Sequence, residues 1–261
     1  MTTLDRPERC SPMPHFPTSD ETRPAWRATV LTLFTKMFPG PLGISLSGQA
    51  LAAKIWSLDT IQIREFGIGK HAQVDDTPTG GGAGMVLRAD VLGPALDHAK
   101  ASNPDSPLIY LSPRGTPLTQ QIAHDLASGP GVTLLAGRFE GIDERVIEEY
   151  GLREISIGDY VLSGGELAAM VLLDACVRLL PGVIGAADSL THESFEQGLL
   201  EYPQYTKPRD WAGRGTPDIL LSGDHKKIGA WRQAESQRIT TERRPDLLQP
   251  NLIPLGPPNK A

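Results

Sequence analysis

From Trp26 onward, apolar runs alternate with helical patterns along the chain. Residues 29–34 (TVLTLF) read as a buried strand, and Ser47 is placed to cap a helix running through Trp56. Residues 61–66 predict a second strand. Residues 89–100 predict a helix broken or kinked near Gly93-Pro94. Residues 107–111 (PLIYL) and 132–136 (VTLLA) are two further strands. Between them, Thr116-Pro117 reads as an N-cap with proline at the first helical position, opening a helix to about Ser128. A helix near residues 143–150, a strand at Ile155 and a helix over 166–180 complete the series. Such repeated β–α alternation predicts an α/β domain with a mainly parallel sheet.

Residues 154–166, Glu154-Ile-Ser-Ile-Gly-Asp-Tyr-Val-Leu-Ser-Gly-Gly-Glu166, interrupt this rhythm. A β-branched run ends at Gly158, a polar loop carrying Tyr160 follows, and Gly164-Gly165 open the last helix. Adjacent glycines at a helix start cost backbone entropy, which suggests close approach of something to the main chain. Free N–H groups at such a start favour polar or anionic ligand groups. The helix stops at Pro181-Gly182, and its polar residues Glu166, Asp174 and Arg178 fall within a sector about 120° wide. The rest of its surface must be covered, either by the domain or by a second copy of the chain.

The flanks differ. Residues 1–24 hold Pro7, Pro12, Pro14, Pro17 and Pro24 without an apolar period and read as a disordered tail. Residues 183–205 read as a connector ending in a short helix, with Ser194 and Gln197 spaced as a capping box. Further on, Asp224 is placed to cap a helix with Ile228 and Trp231 on its inner face and Lys226, Lys227 and Arg232 elsewhere.

With 261 residues the chain can bury one large or two modest cores. Its 27 glycines and 23 prolines exceed the average but stay below the level that signals disorder. No run of about 18 apolar residues predicts a membrane span, and the first residues lack the basic-then-apolar order of a secretory signal. Cys10 and Cys176 make neither a metal site nor a disulfide framework. The expectation is a soluble, cytoplasmic protein without a membrane partner. Net charge is −6, yet from Thr206 to the end ten Lys/Arg face six Asp/Glu, so the first 205 residues carry −10. An acidic body with a basic appendage suits contact with phosphates, and a solvated basic helix explains the numbers equally well.

Two motifs are decoys. Gly67-Ile-Gly-Lys-His-Ala72 matches a dinucleotide fingerprint, but an Asp-Asp-Thr-Pro stretch and a glycine cluster follow where a helix is required. Gly80-Gly-Gly-Ala-Gly84 has Met85 where a phosphate loop needs lysine; it is either a cradle for a ligand or a surface loop. More telling are three polar, glycine-bearing loops at successive strand ends: 112–115, 137–145 and 158–165. Ligands of open α/β sheets sit beyond the carboxyl ends of strands, so the three describe one cleft. The acids and arginines of 137–145 would otherwise be a surface salt-bridge cluster, which stabilises little.

The segments VDDTPTGGGAGM (74–85), YLSPRG (110–115), AGRFEGIDER (136–145), SIGDYVLSGGELAAM (156–170), GLLEYPQYTKP (198–208) and LLSGDHKKIGAWR (220–232) resemble the bacterial tRNA (guanine-N1)-methyltransferase family, TrmD, of the SPOUT class. The resemblance runs in order from about Trp26 to Leu248. It implies an α/β fold with a deep trefoil knot over residues 25–184, a linker at 185–193 and a small helical tRNA-binding domain at 194–261. It further implies methyl transfer from S-adenosylmethionine to N1 of guanosine 37 of tRNA, beside the anticodon, when guanosine 36 precedes it. The implied assembly is a homodimer with shared active sites.

By motif match, Tyr110, Leu111, Ser112, Pro113, Gly137, Glu140, Ile157, Gly158, Tyr160, Leu162, Gly164 and Gly165 surround the cofactor. An aspartate base of the family falls at Glu193, and its O6-supporting arginine falls at Arg178. Taken without the resemblance, Arg178 is equally a complement to a helix C-terminus or a partner of Asp174, and Glu193 a charge ahead of a helix. Glu140 is a candidate for cofactor contact or for the magnesium ion the family implies. Arg138, His225, Lys226, Lys227 and Arg232 are the expected RNA contacts. Two other readings stand beside this one: a knotted methyltransferase of another RNA site, such as a ribose hydroxyl, and a non-catalytic RNA-binding assembly factor.

Overall fold

The structure, a computed structural model of the chain, describes residues 25–185 and 193–248. The expected tail at 1–24 and nearly all of the expected linker lie outside the described residues. The chain divides into two compact units between Gly185 and Ala186.

The first unit runs β1 (Trp26–Thr32), α1 (Ser45–Ala52), β2 (Trp56–Gln62), β3 (Asp75–Asp76), β4 (Val86–Leu87), α2 (Ala89–Ser102), β5 (Leu108–Pro117), α3 (Gln120–Ser128), β6 (Gly131–Ala136), α4 (Glu144–Tyr150), β7 (Arg153–Ser156) and α5 (Glu166–Val177). Five of these strands form one sheet in the order β2-β1-β6-β5-β7, and every neighbouring pair is parallel. Side chains alternate between its faces. Val30, Ile109 and Leu134 join α1, α3 and α5 on one side, while Leu31, Tyr110 and Leu135 join α2 and α4 on the other. Every residue of β6 is buried, which is why its sequence is apolar on both faces apart from Thr133, whose hydroxyl pairs with that of Ser106.

Several expected elements shift. The first strand starts at Trp26, and the helix expected to reach Trp56 ends at Ala52. Trp56 instead opens β2, pairs with Trp26, and its indole N–H donates to the Ser47 carbonyl at 2.9 Å. Ser47 does not cap the helix; its hydroxyl donates to the Ile44 carbonyl. The strand expected at 61–66 closes at Gln62 and continues as a 3₁₀ turn, Ile63–Phe66, with the Gln62 side chain accepting from the Arg64 amide. α2 runs through Pro94 to Ser102 without a break. Thr116 and Pro117 are not a helix start: they pair with Ile155 and Ser156 of β7, and Thr119 caps α3 by accepting from the Ile122 amide at 3.3 Å. The helix expected near 143–150 forms as α4, and Asp143 caps it by accepting from the Arg145 amide.

The apolar helix α5 is mostly covered by its own domain. Ala168, Ala169, Met170, Leu172, Leu173, Cys176 and Val177 are buried, whereas Leu167 (51 % exposed) and Val171 (47 % exposed) share an outward face. Among the described residues no helix is long and apolar enough to cross a membrane.

In the second unit, a two-strand hairpin of β8 (Asp210–Trp211) and β9 (Arg214–Gly215) precedes α6 (His225–Arg243). Asp224 caps α6, accepting from the Lys227 amide at 3.1 Å. Ile228 and Trp231 are half-buried on the same face as buried Ser236, Ile239 and Thr240. The capping box expected at Ser194 does not form. Phe195 takes a positive φ of 79°, and the Ser194 hydroxyl accepts from the Glu201 amide instead. The Leu200 amide is drawn to the Thr240 hydroxyl at 2.8 Å, which ties this turn to α6.

Candidate active site

The first loop of the cleft is an outward bulge of β5. Leu111 and Thr116 both register with Ile155, so residues 112–115 are looped out of the pairing with β7. Ser112 is buried and its hydroxyl accepts from the Arg114 amide at 3.2 Å. The Arg114 guanidinium reaches Glu144 at 3.0 Å and Glu154 at 3.3 Å. Hydrogen bonding to Glu144, then the charge of Glu154, hold its pKa above the ordinary arginine value. Gly115 lies flat against the Glu154–Ile155 main chain, where a Cβ would collide with backbone.

The second loop leaves β6 over the ring of Tyr110. A Cβ on Gly137 would stand 2.8 Å from Tyr110 Cε2, and one on Gly141 would stand 3.1 Å from its hydroxyl. Burial pushes the Tyr110 phenol above its usual pKa, with the Glu154 carboxylate adding to the effect. The loop also anchors the glycine cluster. The Glu140 amide donates to the Met85 carbonyl at 3.0 Å, and Gly84 packs so closely on the Glu140 side chain that a Cβ would collide with it. Gly80, Gly81 and Gly82, all at positive φ, face open space. The rejected fingerprint at 67–72 is a tight turn closed by mutual hydrogen bonds of Ile68 and Gln73, with Gly67 against the Ala72 main chain.

The third loop follows β7. The Gly158 amide donates to the Ser156 hydroxyl at 3.2 Å, and the Tyr160 ring lies over Gly158, its hydroxyl donating to the Ile157 carbonyl at 3.2 Å. The loop then returns to β6, where the Gly165 amide donates to the Gly137 carbonyl at 2.8 Å.

These three loops line one cleft, and all twelve residues expected around the cofactor are in it. Arg138, expected among the RNA contacts, lines it too. Its side chain is only 19 % exposed and engages Glu166 at 2.9 Å and the Ser163 carbonyl at 3.0 Å. Phe139, Gly141, Ile155, Ser156, Val161 and Ala168 complete the lining, and of these Ala168, inside α5, carries no local sequence sign of it. Buried Glu166 has no sequence signal either, because a glutamate in a helix's first turn ordinarily reads as part of its solvated sector.

The expected catalytic pair is divided between the units. Arg178 is half-buried at the C-terminal end of α5, its amide donating to the Asp174 carbonyl at 3.2 Å. Glu193 belongs to the second unit, where it lines a small cavity with Tyr202, Arg232 and Ser236. The Arg232 guanidinium lies 4.8 Å over the Tyr202 ring, and Trp231 packs on Tyr205 with centroids 6.3 Å apart. His225, Lys226 and Lys227 are exposed in the first turn of α6, and Lys227 pairs with Asp224 at 3.2 Å.

The sequence matches the family model described as tRNA (Guanine-1)-methyltransferase TrmD over residues 26–250. The chain belongs to the TrmD family. It is 64 % identical over 222 residues to the tRNA (guanine-N(1)-)-methyltransferase of Nitrobacter winogradskyi, covering 85 % of this chain and 92 % of that one. It is also 62 % identical over 220 residues to the enzyme of the same name from Rhizorhabdus wittichii, covering 84 % and 89 %, and 61 % identical over 220 residues to that of Novosphingobium aromaticivorans, with the same coverage.

A methyltransferase of the TrmD family implies S-adenosylmethionine, and the cleft suits it. Its arginine is already neutralised by Glu166, and the remaining lining is main chain, apolar side chains such as Leu111, Pro113 and Leu162, and the Glu140 carboxylate. That set accommodates a neutral adenine and a cationic sulfonium better than a run of phosphates. Among the described residues no group of three or more His, Cys, Asp or Glu is arranged to hold a metal ion.

Proposed function

We propose that this chain transfers a methyl group from S-adenosylmethionine to N1 of guanosine 37 in tRNA, next to the anticodon, when guanosine 36 precedes it. The observation that carries this reading is the convergence of the three strand-end loops on one cleft, in a chain of the TrmD family. The twelve cofactor-contact residues of that cleft would hold the adenosine and methionine parts. When bound, S-adenosylmethionine supplies a methyl group activated by its sulfonium.

The protein's own task is to make N1 nucleophilic, because that nitrogen carries a proton in neutral guanine. Glu193 accepts the proton. Arg178 donates to O6, where negative charge develops as the proton leaves. The meeting of these two residues at one guanine rests on the family resemblance. Where the family pattern has aspartate, Glu193 adds a methylene, which shifts the carboxylate by roughly a bond length and matters for a positioned base. A magnesium ion held by Glu140 would draw its other ligands from substrate, cofactor or water.

Three further parts belong to this reading. The first is a trefoil knot: β7 pairs with the outer part of β5 at Thr116 and Pro117, yet the chain after it returns to Gly137 at the end of β6, across the 112–115 bulge. The second is a homodimer with shared active sites, supported by the exposed Leu167 and Val171 on an otherwise buried helix. The third is tRNA contact through His225, Lys226, Lys227 and Arg232 in a helical C-terminal domain.

The test is incubation with S-adenosylmethionine, magnesium and a tRNA transcript carrying guanosines at 36 and 37, followed by mass spectrometry of the nucleosides. 1-Methylguanosine at position 37, absent when that base is changed, supports the reading. A ribose-methylated product would replace it with another RNA site, and RNA and cofactor binding without product would indicate an assembly factor.

A further inference from the structure

Glu166 is the one carboxylate among the described residues that is almost wholly buried, at 1 % exposure. It sits in the first turn of α5, immediately after Gly164-Gly165. Its Oε1 accepts from the Thr32 hydroxyl at 2.8 Å and from Arg138 Nε at 3.1 Å. Its Oε2 lies 2.9 Å from the same Nε but receives no aligned hydrogen bond, so the arginine's charge is what compensates it. The other arm of the guanidinium donates from Nη1 to the Ser163 carbonyl at 3.0 Å. Beneath it the Phe34 ring lies 4.4 Å away, and the Arg138 side chain covers Gly164 so closely that a Cβ there would collide with the guanidinium. One planar fork therefore joins three segments: the end of β1, the start of the 137–145 loop, and the last residues of the 158–165 loop.

A buried carboxylate is costly even when paired, and an apolar residue of similar size often serves packing as well. The pair's distinctive property is geometric. We propose that Arg138 is a positioning residue, which clamps residues 163–165 against buried Glu166 and so fixes the main chain that lines the cofactor cleft. The fork also explains Gly164: its missing Cβ leaves room for Arg138, while its main chain lines the cleft. This inference rests on reading the cleft as the cofactor site.

The deciding variant is Arg138→Lys in the full chain. Lysine keeps a positive charge beside Glu166, but a single ammonium does not reproduce a planar fork that bridges two acceptors. Amide exchange over residues 158–165, measured without cofactor, should accelerate while β1 and β6 keep their protection. The Kd for S-adenosylmethionine should rise about tenfold, a larger change than any in turnover at saturating cofactor. A second variant, Arg138→Met with Glu166→Gln, removes both charges at once. It should regain thermal stability but not cofactor affinity or loop protection. Wild-type loop exchange and affinity in Arg138→Lys, or full recovery of both in the double variant, would overturn the clamp. If wild-type protein binds no S-adenosylmethionine while loop exchange still responds to Arg138→Lys, the cofactor reading fails and the clamp stands.

Discussion

The amide of Gly165 donates to the carbonyl of Gly137 at 2.8 Å, joining the start of α5 to the end of β6 through main chain alone. A Cβ on Gly165 would stand 2.8 Å from Ala136 Cα and 3.0 Å from the Gly137 amide nitrogen. Its φ of −78° is ordinary, so the demand for glycine comes from close packing and not from backbone conformation. Gly165→Ala should therefore lose about 1–3 kcal/mol of stability by overpacking and weaken cofactor binding with it. Gly151→Ala is the control: its φ is +58° and nothing lies within 4 Å, so it should cost about 1 kcal/mol and leave activity alone. Denaturant titration and calorimetry separate the two effects, and a wild-type cofactor Kd in Gly165→Ala would contradict the first.

Arg178→Ala and Glu193→Gln are expected to lower turnover by about a hundredfold or more while leaving affinity for S-adenosylmethionine close to wild type. Single-turnover rates beside equilibrium cofactor binding test this. Equal loss of cofactor binding in both variants would remove their assigned roles.

The basic first turn of α6 should make tRNA binding strongly salt-dependent. Each RNA phosphate that a lysine no longer neutralises reduces the slope of log affinity against log salt by about 0.7–0.9. Lys226→Ala together with Lys227→Ala should flatten that slope measurably without changing the Kd for cofactor. An unchanged slope in filter binding would remove these lysines from the interface.

Cys176 is buried in α5, and burial pushes its thiol up to about 12. The folded protein then holds this proton over a range in which the unfolded chain has lost it. Stability from the neutral thiol is present in full below its ordinary value near 9 and declines as pH rises toward 12, by about 1.4 kcal/mol per pH unit. Tyr150, also raised to about 12, by burial and then by its hydrogen bond to Asp97, adds to this decline above pH 10. Cys176→Ala should make the alkaline limb of a stability–pH curve shallower. An equally steep limb would show that the thiol does not contribute.

Capping separates Thr119 from Thr116. Thr119→Ala removes the acceptor for the Ile122 amide and should cost about 1 kcal/mol. Thr116→Val keeps a β-branched residue in β5 and should be nearly neutral. Thermal unfolding of both variants checks the assignment.

The sequence alone determined whatever depends on local chemistry. Mostly apolar runs such as residues 132–136 made buried parallel strands legible, because a strand covered on both faces has no solvated side to show. Asp224 was readable as a helix cap because its partner, the Lys227 amide, lies three residues away. The three loops of the cleft were readable for the same reason: each is a polar, glycine-bearing interruption directly after a strand. Tertiary structure decided what depends on distant partners. Trp56 begins a strand because Trp26 pairs with it, and Thr116 and Pro117 stay extended because β7 takes up their backbone. The sheet order β2-β1-β6-β5-β7 likewise has no local signature. The glycine pair at 164–165 announced a close approach, but what approaches is Arg138 and the end of β6, brought there by a buried charge 28 residues from its partner. Spacing along a chain records short-range capping and periodicity. Burial and ion pairing across loops exist only after the strands have been ordered.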